Sequence, residues 1–403
     1  MFAGACAAGR AEEWTRFRGP NGSGVSMATG IPTTWTERDF AWRVRLPGEG
    51  HAQPVFWGER VFVTAAQDQG HERLLLCLRQ EDGVELWRRT YALPAAPTKN
   101  RLSGYANSSP VVDERRVVTC FVSERHLWVR AFTHDGDLLW ARDLGPFDSP
   151  HGHGASPILH DGRLIVVQDQ DDASRVTALA VEDGGILWQA PRRAGGGAAA
   201  YGTPVVRGRG AEAELLLTSR PHGISSLDPR SGALNWEAPV LRARTIASPV
   251  VAGDLVLGSC GAGLAGPNFL VAVRPGGAGD VSTSHVAYTL RAGVPCIGTP
   301  LCQGRRLYLV NDAGIASAVD VATGRVVWSE RLGAEFFGSP IWVEGRIYVP
   351  STRGEMFVLA AGDVFRVLAR NPLGEATQSS PGVAGGRLYV RTLTHLVSIG
   401  GKP

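Results

Sequence analysis

SPILHDGRLIVVQDQDDASRVTALAVEDGGILW, from Ser156 to Trp188, is one complete copy of the unit from which most of this chain is built. It begins with a small polar residue and a proline, and continues as runs rich in Val, Leu and Ile. It ends with a glycine turn that leads to a tryptophan. Short apolar runs bounded by Asp and Gly are typical of β-strands joined by tight turns. The stretch therefore predicts four short strands in succession.

The same unit recurs along the chain. A small or polar residue, a proline and an apolar residue recur with the proline at positions 54, 110, 157, 204, 249, 300 and 340, and a weaker copy, SPG, has its proline at 381. Successive prolines lie 40 to 56 residues apart. An aromatic residue ends most copies: Trp87, Trp140, Trp188, Trp236, Tyr288, Trp328 and Phe365. Repeats of this length are typical of solenoids and propellers.

Four antiparallel strands per repeat predict the blade of a β-propeller. One blade cannot bury both of its faces, so blades must stack and the ring must close. The last copy lacks an aromatic strand, whereas the segment from Phe40 to Gly48 carries Trp42 ahead of the first copy. We therefore predict an all-β, eight-bladed propeller of four-stranded antiparallel blades, closed by an N-terminal strand that completes the last blade. We expect the aromatic residues to be wedges between blades.

Composition excludes several functional classes. The 403 residues include 41 Lys and Arg against 38 Asp and Glu, a formal net charge of +3, and the arginines are scattered, so we predict no nucleic-acid partner. No apolar run reaches the roughly 18 residues that a membrane helix needs. The six cysteines form no CxxC pair, which excludes a zinc ribbon or a redox motif of that spacing. We expect a monomer.

The sequence divides into three parts. Residues 1–13 resemble the small-residue cleavage region of a truncated export signal, and a flexible tail is the alternative. Cys6 within this part matches a lipidation motif poorly, and its lipidation stays open. Residues 14–39 are assigned as an N-terminal extended segment. Residues 40–400 are assigned as a single propeller domain.

The repeat, with its Ser-Pro start, DGRLYV-type second strand and TGxxxW end, resembles the PQQ-like repeat. That repeat is found in quinoprotein alcohol dehydrogenases and in the envelope lipoprotein BamB, and the resemblance covers about residues 40 to 400. The opening WTRFRGPNGSGVS and the ending QSSPGVAGGRLYVRTLTHLVSIG resemble a subgroup of exported bacterial PQQ-binding-like propellers. The resemblance implies a periplasmic or envelope location, with protein partners in the cell envelope.

One mouth of the central channel is the predicted ligand site. Loops that lead into the innermost strands meet there with loops that join the second and third strands. The candidate residues from these loops are His51, Asn107, His151, His153, Gln168, Asp169, Tyr201 and Gln378. His151 and His153 would point to one side of an extended segment, as a metal site requires. No other repeat carries this pair, so we interpret them as loop histidines without a metal.

The resemblance leaves two functions open. Quinoprotein dehydrogenases use PQQ polarised by a calcium or lanthanide ion, with a carboxylate as general base. They also carry adjacent cysteines, which this sequence lacks, as it lacks a CxxCH haem motif. We therefore predict a non-catalytic, exported binding or scaffold protein of the cell envelope, with no catalytic residue, metal or cofactor and with room for a small ligand in the channel. The alternative is a PQQ-dependent alcohol or sugar dehydrogenase with PQQ and calcium at the channel mouth.

Overall fold

A computed structural model describes residues 14–93, 100, 103–263 and 266–401. These residues form eight β-sheets, and the prediction of an eight-bladed, all-β propeller is confirmed. Cys6 and the rest of residues 1–13 lie outside the described residues. None of the helices in the described part has the length and hydropathy to cross a membrane.

The blades are numbered by their innermost strand, and their strands run from the channel outward. Blade 1 contains Val55–Trp57, Arg60–Gln67, Glu72–Arg79 and Glu85–Ala92; blade 2 contains Val111–Val112, Arg116–Ser123, His126–Thr133 and Leu138–Pro146. Blade 3 contains Ile158–His160, Arg163–Gln168, Arg175–Ala180 and Ile186–Pro191; blade 4 contains Val205–Arg207, Glu214–Ser219, Gly223–Leu227 and Leu234–Ala238. Blade 5 contains Val250–Ala252, Leu255–Gly261, Asn268–Val273 and Val286–Leu290; blade 6 contains Leu301–Gln303, Arg306–Val310, Ile315–Asp320 and Val326–Arg331. Blade 7 contains Ile341–Val343, Arg346–Pro350, Glu355–Ala360 and Val367–Pro372; blade 8 contains Gly382–Ala384, Arg387–Arg391, His395–Ile399 and Phe40–Arg45. Within the described residues, short 3₁₀ turns occupy Pro20–Gly22, Glu37–Asp39, Asp68–Gly70 and Gly210–Glu212.

Closure of the ring occurs in blade 8. Phe40–Arg45 pairs antiparallel with His395–Ile399, with Trp42 opposite Ser398. The predicted closing strand is therefore confirmed. Two short strands depart from the four-stranded pattern: Val25–Ser26 adds in parallel to blade 7, and Gly279–Asp280 adds in parallel to blade 4. Two-residue pairings carry no periodicity that a sequence pattern could reveal.

The second and third strands carry the core. In blade 1, six consecutive residues of Arg60–Gln67 and six of Glu72–Arg79 are buried, whereas Glu85–Ala92 alternates between exposed and half-buried residues. A strand that is covered on both faces has a continuous apolar run, while a strand with one wet face alternates. The middle strands are therefore those pressed between neighbouring blades.

The repeated tryptophans pack between blades, as predicted. The Nε1–H of Trp140 in blade 2 donates to the carbonyl oxygen of Val181 in blade 3, at 3.0 Å. Its ring lies against Gly184 in the turn that follows, where an added Cβ would approach the ring to 2.5 Å. Trp87 and Gly136, and Trp188 and Gly232, repeat this contact. The glycine of each turn is therefore required by the neighbouring tryptophan as well as by its own positive φ.

Candidate ligand-binding site at the channel mouth

The eight residues that precede the repeat prolines form a ring around the channel, which we call the belt. In seven blades this belt residue is a Ser or Thr: Ser109, Ser156, Thr203, Ser248, Thr299, Ser339 and Ser380. The belt hydroxyl of each of these blades accepts a hydrogen bond from the backbone N–H of the belt residue in the preceding blade, over 2.8–3.0 Å. Blade 1 has Gln53 at this position. The hydroxyls thus satisfy a ring of buried backbone donors, which explains why the repeat begins with Ser or Thr.

A second ring lies one step nearer the mouth. Side chains two positions apart on an extended segment point to the same side, so the residue two positions before each belt residue also faces the channel. These eight residues, from blade 1 to blade 8, are His51, Asn107, Gly154, Tyr201, Ile246, Ile297, Phe337 and Gln378. Blades 5 to 7 contribute the apolar members, and the other blades contribute glycine or polar side chains. The mouth is therefore amphipathic, with one apolar arc and one polar arc.

The opposite end of the channel is closed by residues 14–24. Backbone N–H groups of blades 1, 2 and 7 donate to carbonyl oxygens of this segment at 2.8–3.0 Å. Arg18 is fully buried and donates from Nη1 to Pro340 O (2.9 Å) and from Nη2 to Pro300 O (3.1 Å). Burial lowers the pKa of Arg18 to about 9. The neighbouring Phe17 lines the channel cavity and forms its floor.

A cavity of about 460 Å³ lies between this floor and the mouth. Among the described residues, its lining contains no Asp or Glu and a single Lys or Arg, Arg244. Arg244 is exposed and forms no ion pair with a carboxylate of the described chain. A guanidinium above a cavity without carboxylates produces a positive potential that attracts an anionic group.

His151 connects Arg244 to the cavity wall. Nη1 of Arg244 lies 2.8 Å from Nε2 of His151, and Oγ of Ser103 lies 2.7 Å from its Nδ1. Because a guanidinium can only donate, Nε2 accepts and the proton resides on Nδ1, which donates to Ser103. Burial, followed by the charge of Arg244, lowers the pKa of His151, so the ring is neutral at neutral pH. The Tyr201 ring packs edge-on against it at 5.6 Å.

Five of the eight predicted site residues line this cavity: His51, Asn107, His151, Tyr201 and Gln378. Nδ2 of Asn107 donates to the carbonyl oxygen of His151 at 3.3 Å, so two of them also fix each other. Ligand binding by these residues stays a prediction. The other three, His153, Gln168 and Asp169, do not contribute to the lining of this cavity.

Gln168 and Asp169 are held inside the protein by arginines. Oε1 of Gln168 accepts from Nε of Arg175 at 3.1 Å, and its Nε2 donates to Leu144 O at 3.2 Å. Oδ1 of Asp169 pairs with Nε of Arg192 at 2.7 Å, and both side chains are buried. Burial raises the pKa of Asp169, and the charge of Arg192 opposes that rise. Both residues thus support the packing of the blades.

His153 turns away from the channel. Its Nε2 lies 3.0 Å from Val167 O, and its ring meets Phe147 edge-on at 5.2 Å. Burial lowers the pKa of His153 to about 4. His151 and His153 therefore do not share a ligand, although only one residue separates them.

The eight residues predicted for the site did not include Arg244, Ser103 or Phe17, which also line the cavity. The residues of the second ring could have been found from the sequence, because each lies two positions before a belt residue and this position recurs in every repeat. Phe17 lies outside the repeat and had no such signal. Asp312 acts indirectly: it accepts the backbone N–H groups of Cys296 (2.8 Å) and Ile297 (3.0 Å) and so fixes the apolar arc.

The donor set does not fit a metal-assisted quinone site. Calcium takes six to eight oxygen ligands, most often with carboxylates among them. The described cavity wall offers amide and hydroxyl oxygens only. No group of three or more His, Cys, Asp or Glu among the described residues is arranged to hold a metal ion. The wall therefore provides neither a carboxylate for a calcium-bound quinone nor a carboxylate base.

Comparison with known proteins extends the description of the fold. The family model described as outer membrane protein assembly factor BamB matches residues 70–268 and 267–392. Comparison with curated proteins by sequence gives no match.

Solved structures share the architecture at low identity. BamB from Moraxella catarrhalis is 15% identical with a TM-score of 0.62, covering 89% of this chain and 96% of its own. Quinohemoprotein alcohol dehydrogenase from Comamonas testosteroni is 12% identical with a TM-score of 0.67, covering 99% and 82%. A europium-containing methanol dehydrogenase is 11% identical with a TM-score of 0.56, covering 94% and 89%. At these identities the likeness concerns the fold alone.

Proposed function

The chain belongs to the BamB family of propellers built from PQQ-like repeats, and we propose that it is a non-catalytic binding protein of the cell envelope. The name of the family, an outer membrane protein assembly factor, supports an exported protein that acts through envelope partners. A closed ring with one open, amphipathic mouth suits a docking surface, because the blades hold its loops in place.

The observation that carries the proposal is the amphipathic cavity at the mouth. Arg244 lies on the rim without a carboxylate partner in the described chain, and the apolar arc of Ile246, Ile297 and Phe337 faces the polar arc. We assign the partner as an envelope protein that inserts an acidic side chain next to a large apolar one. Buried apolar anchors and an arginine are the contacts that dominate such interfaces.

A capture experiment tests the binding half of the proposal. Immobilised protein and its Arg244→Glu variant are incubated with envelope extract, and retained proteins are quantified. We expect at least one protein that the wild type retains and that the variant loses about tenfold or more, since a hydrogen bond to a charged group contributes about 1.5–3 kcal/mol and about 1.4 kcal/mol corresponds to a tenfold change in affinity. Identical retention by both proteins would contradict the proposal.

A catalytic assay tests the proposal that the protein is non-catalytic. Protein incubated with PQQ and Ca²⁺ is assayed for dye reduction with alcohols and sugars as electron donors. We expect no substrate-dependent reduction, because the described residues of the wall include none of the carboxylates that this chemistry needs. Sustained reduction that is lost in His151→Ala would replace the proposal by the quinoprotein oxidoreductase alternative.

A further inference from the structure

A second cavity, of about 340 Å³, lies beside the mouth between blades 1, 2 and 3. Its walls come from the start of the third strand of blade 1, the second strand and following turn of blade 2, and the loops that enter blades 2 and 3. Among the described residues, Asn107 alone belongs to the linings of both cavities. The second cavity is therefore a separate compartment with its own donors.

Arg73 supplies a buried positive charge to this cavity. Its side chain is only 2% exposed, and Nη1 donates to Gly70 O at 2.6 Å. Nε is buried without a partner, and no carboxylate of the described chain lies within ion-pair distance. The guanidinium lies 5.0 Å from the centre of the Tyr105 ring. A cation buried without an anion is unfavourable unless something else balances its charge.

Arg18 is also buried without a carboxylate partner in the described chain, but carbonyl oxygens accept its hydrogen bonds. Arg192 provides a comparison with a guanidinium whose charge is neutralised. Arg192 is also buried, but Asp169 neutralises it and Ser219 accepts a further hydrogen bond at 2.9 Å. Arg73 lines this cavity, whereas Arg192 lines neither this cavity nor the channel cavity. The missing counter-charge of Arg73 therefore has space to be supplied from outside the chain.

His153 supplies an acceptor to the same cavity. Since a carbonyl oxygen can only accept, Nε2 of His153 carries the proton that bonds Val167 O, and Nδ1 presents a lone pair. Nδ1 is buried and has no hydrogen-bond partner among the described residues. His153 is 9% exposed, so this lone pair is shielded from bulk water. It can be satisfied by a hydroxyl or N–H group that enters the cavity.

The walls and rim limit the ligand further. Phe121, Phe147 and Tyr105 provide apolar and aromatic surface. At the rim the exposed Asp148 pairs with Arg125 at 2.6 Å, which balances its charge, and Glu124 is exposed to solvent. The interior charge is thus positive, with an acceptor and aromatic surfaces around it.

We propose that this second cavity binds a small hydroxycarboxylate of the sugar-acid type, with its carboxylate on Arg73 and a hydroxyl donating to Nδ1 of His153. A guanidinium matches a carboxylate with two parallel hydrogen bonds. The aromatic walls pack against the C–H face of the carbon skeleton. The inference does not depend on the function proposed for the channel mouth, since it uses a different arginine and a different histidine.

Titration calorimetry with D-glucuronate, and with D-glucose as the uncharged analogue, tests the assignment. We expect glucuronate to bind the wild type and glucose to bind at least tenfold more weakly. Arg73→Met should weaken glucuronate about tenfold or more, and His153→Phe should weaken it less. Arg244→Gln, at the channel mouth, is the matched control and should bind glucuronate as the wild type does. Equal binding of the two sugars, no binding of glucuronate, or unchanged binding by Arg73→Met would overturn the proposal.

Stability with and without the ligand provides a second readout. Saturating D-glucuronate should raise the denaturant midpoint of the wild type, because a ligand that binds only the folded state stabilises it, and should leave the midpoint of Arg73→Met unchanged. No rise for the wild type, or an equal rise for Arg73→Met, would contradict the proposal.

Discussion

The two ends of the channel use the same residue type in opposite ways. At the closed end Arg18 is fully buried, and carbonyl oxygens of Gly22, Pro300 and Pro340 accept its hydrogen bonds. At the open end Arg244 is exposed, and it donates from Nη1 to the neutral ring of His151. A side chain whose donors are all used by its own chain serves architecture. A side chain that keeps donors available at a cavity is suited to recognition.

The largest expected effect lies at the closed end. Arg18→Met would leave several buried carbonyl oxygens without a donor, and each such loss costs about 1–3 kcal/mol. We expect the free energy of unfolding to fall by about 3 kcal/mol or more, measured by denaturant titration. The matched variant at the open end, Arg244→Met, should change it by less than about 0.5 kcal/mol. Equal losses in both variants would remove the distinction between the two ends.

The loss of stability on acidification should distinguish two histidines of one loop, the buried His153 and the half-buried His151. His153 is buried with a pKa of about 4, so the unfolded state, with an ordinary pKa near 6.5, binds its proton first as the pH falls. The free energy of unfolding should therefore decrease from about pH 6.5 to pH 4. His222, whose pKa burial also lowers to about 4, acts in the same direction.

Variants separate the contribution of His153. Between about pH 6.5 and pH 4 the free energy of unfolding of His153→Gln should decrease by about 2 kcal/mol less than that of the wild type. His151 is only half-buried at the channel mouth, so the decrease for His151→Gln should stay closer to that of the wild type. Unfolding titrations at a series of pH values measure both slopes, and identical slopes for wild type and His153→Gln would refute this account of the buried ring.

The belt should show the smallest of the stability effects. Thr203→Val keeps the side-chain shape but removes the hydroxyl that accepts the Ser156 N–H at 2.9 Å. We expect a loss of about 1–2 kcal/mol in the free energy of unfolding, because a buried N–H is left unpaired. Gln378→Ala, in the second ring, should stay within about 0.5 kcal/mol of the wild type. A belt variant as stable as the wild type would show that water replaces the hydroxyl.

The repeat made the fold predictable, because spacing, turn glycines and the position of Trp42 all agreed on eight closed blades. It also placed His51, Asn107, Tyr201 and Gln378 on one ring, since their distance from the belt is constant. Gln168 and Asp169 were assigned to the mouth, but the arginines that bind them come from other strands and their pairing has no local signal. Phe17 and Arg18 lie in a segment without periodicity, so its role in closing the channel could not be read from the pattern.

The central claim is that the open mouth, and not the closed end, is the binding face. A photo-crosslinking phenylalanine analogue at Gln378, on the mouth ring, and one at the exposed Glu59, in a turn at the closed end, test it in intact envelopes. We expect a discrete crosslinked partner from position 378 that is lost when Arg244→Glu is added, and none from position 59. A partner captured from position 59 alone, or captured from 378 regardless of Arg244, would contradict it.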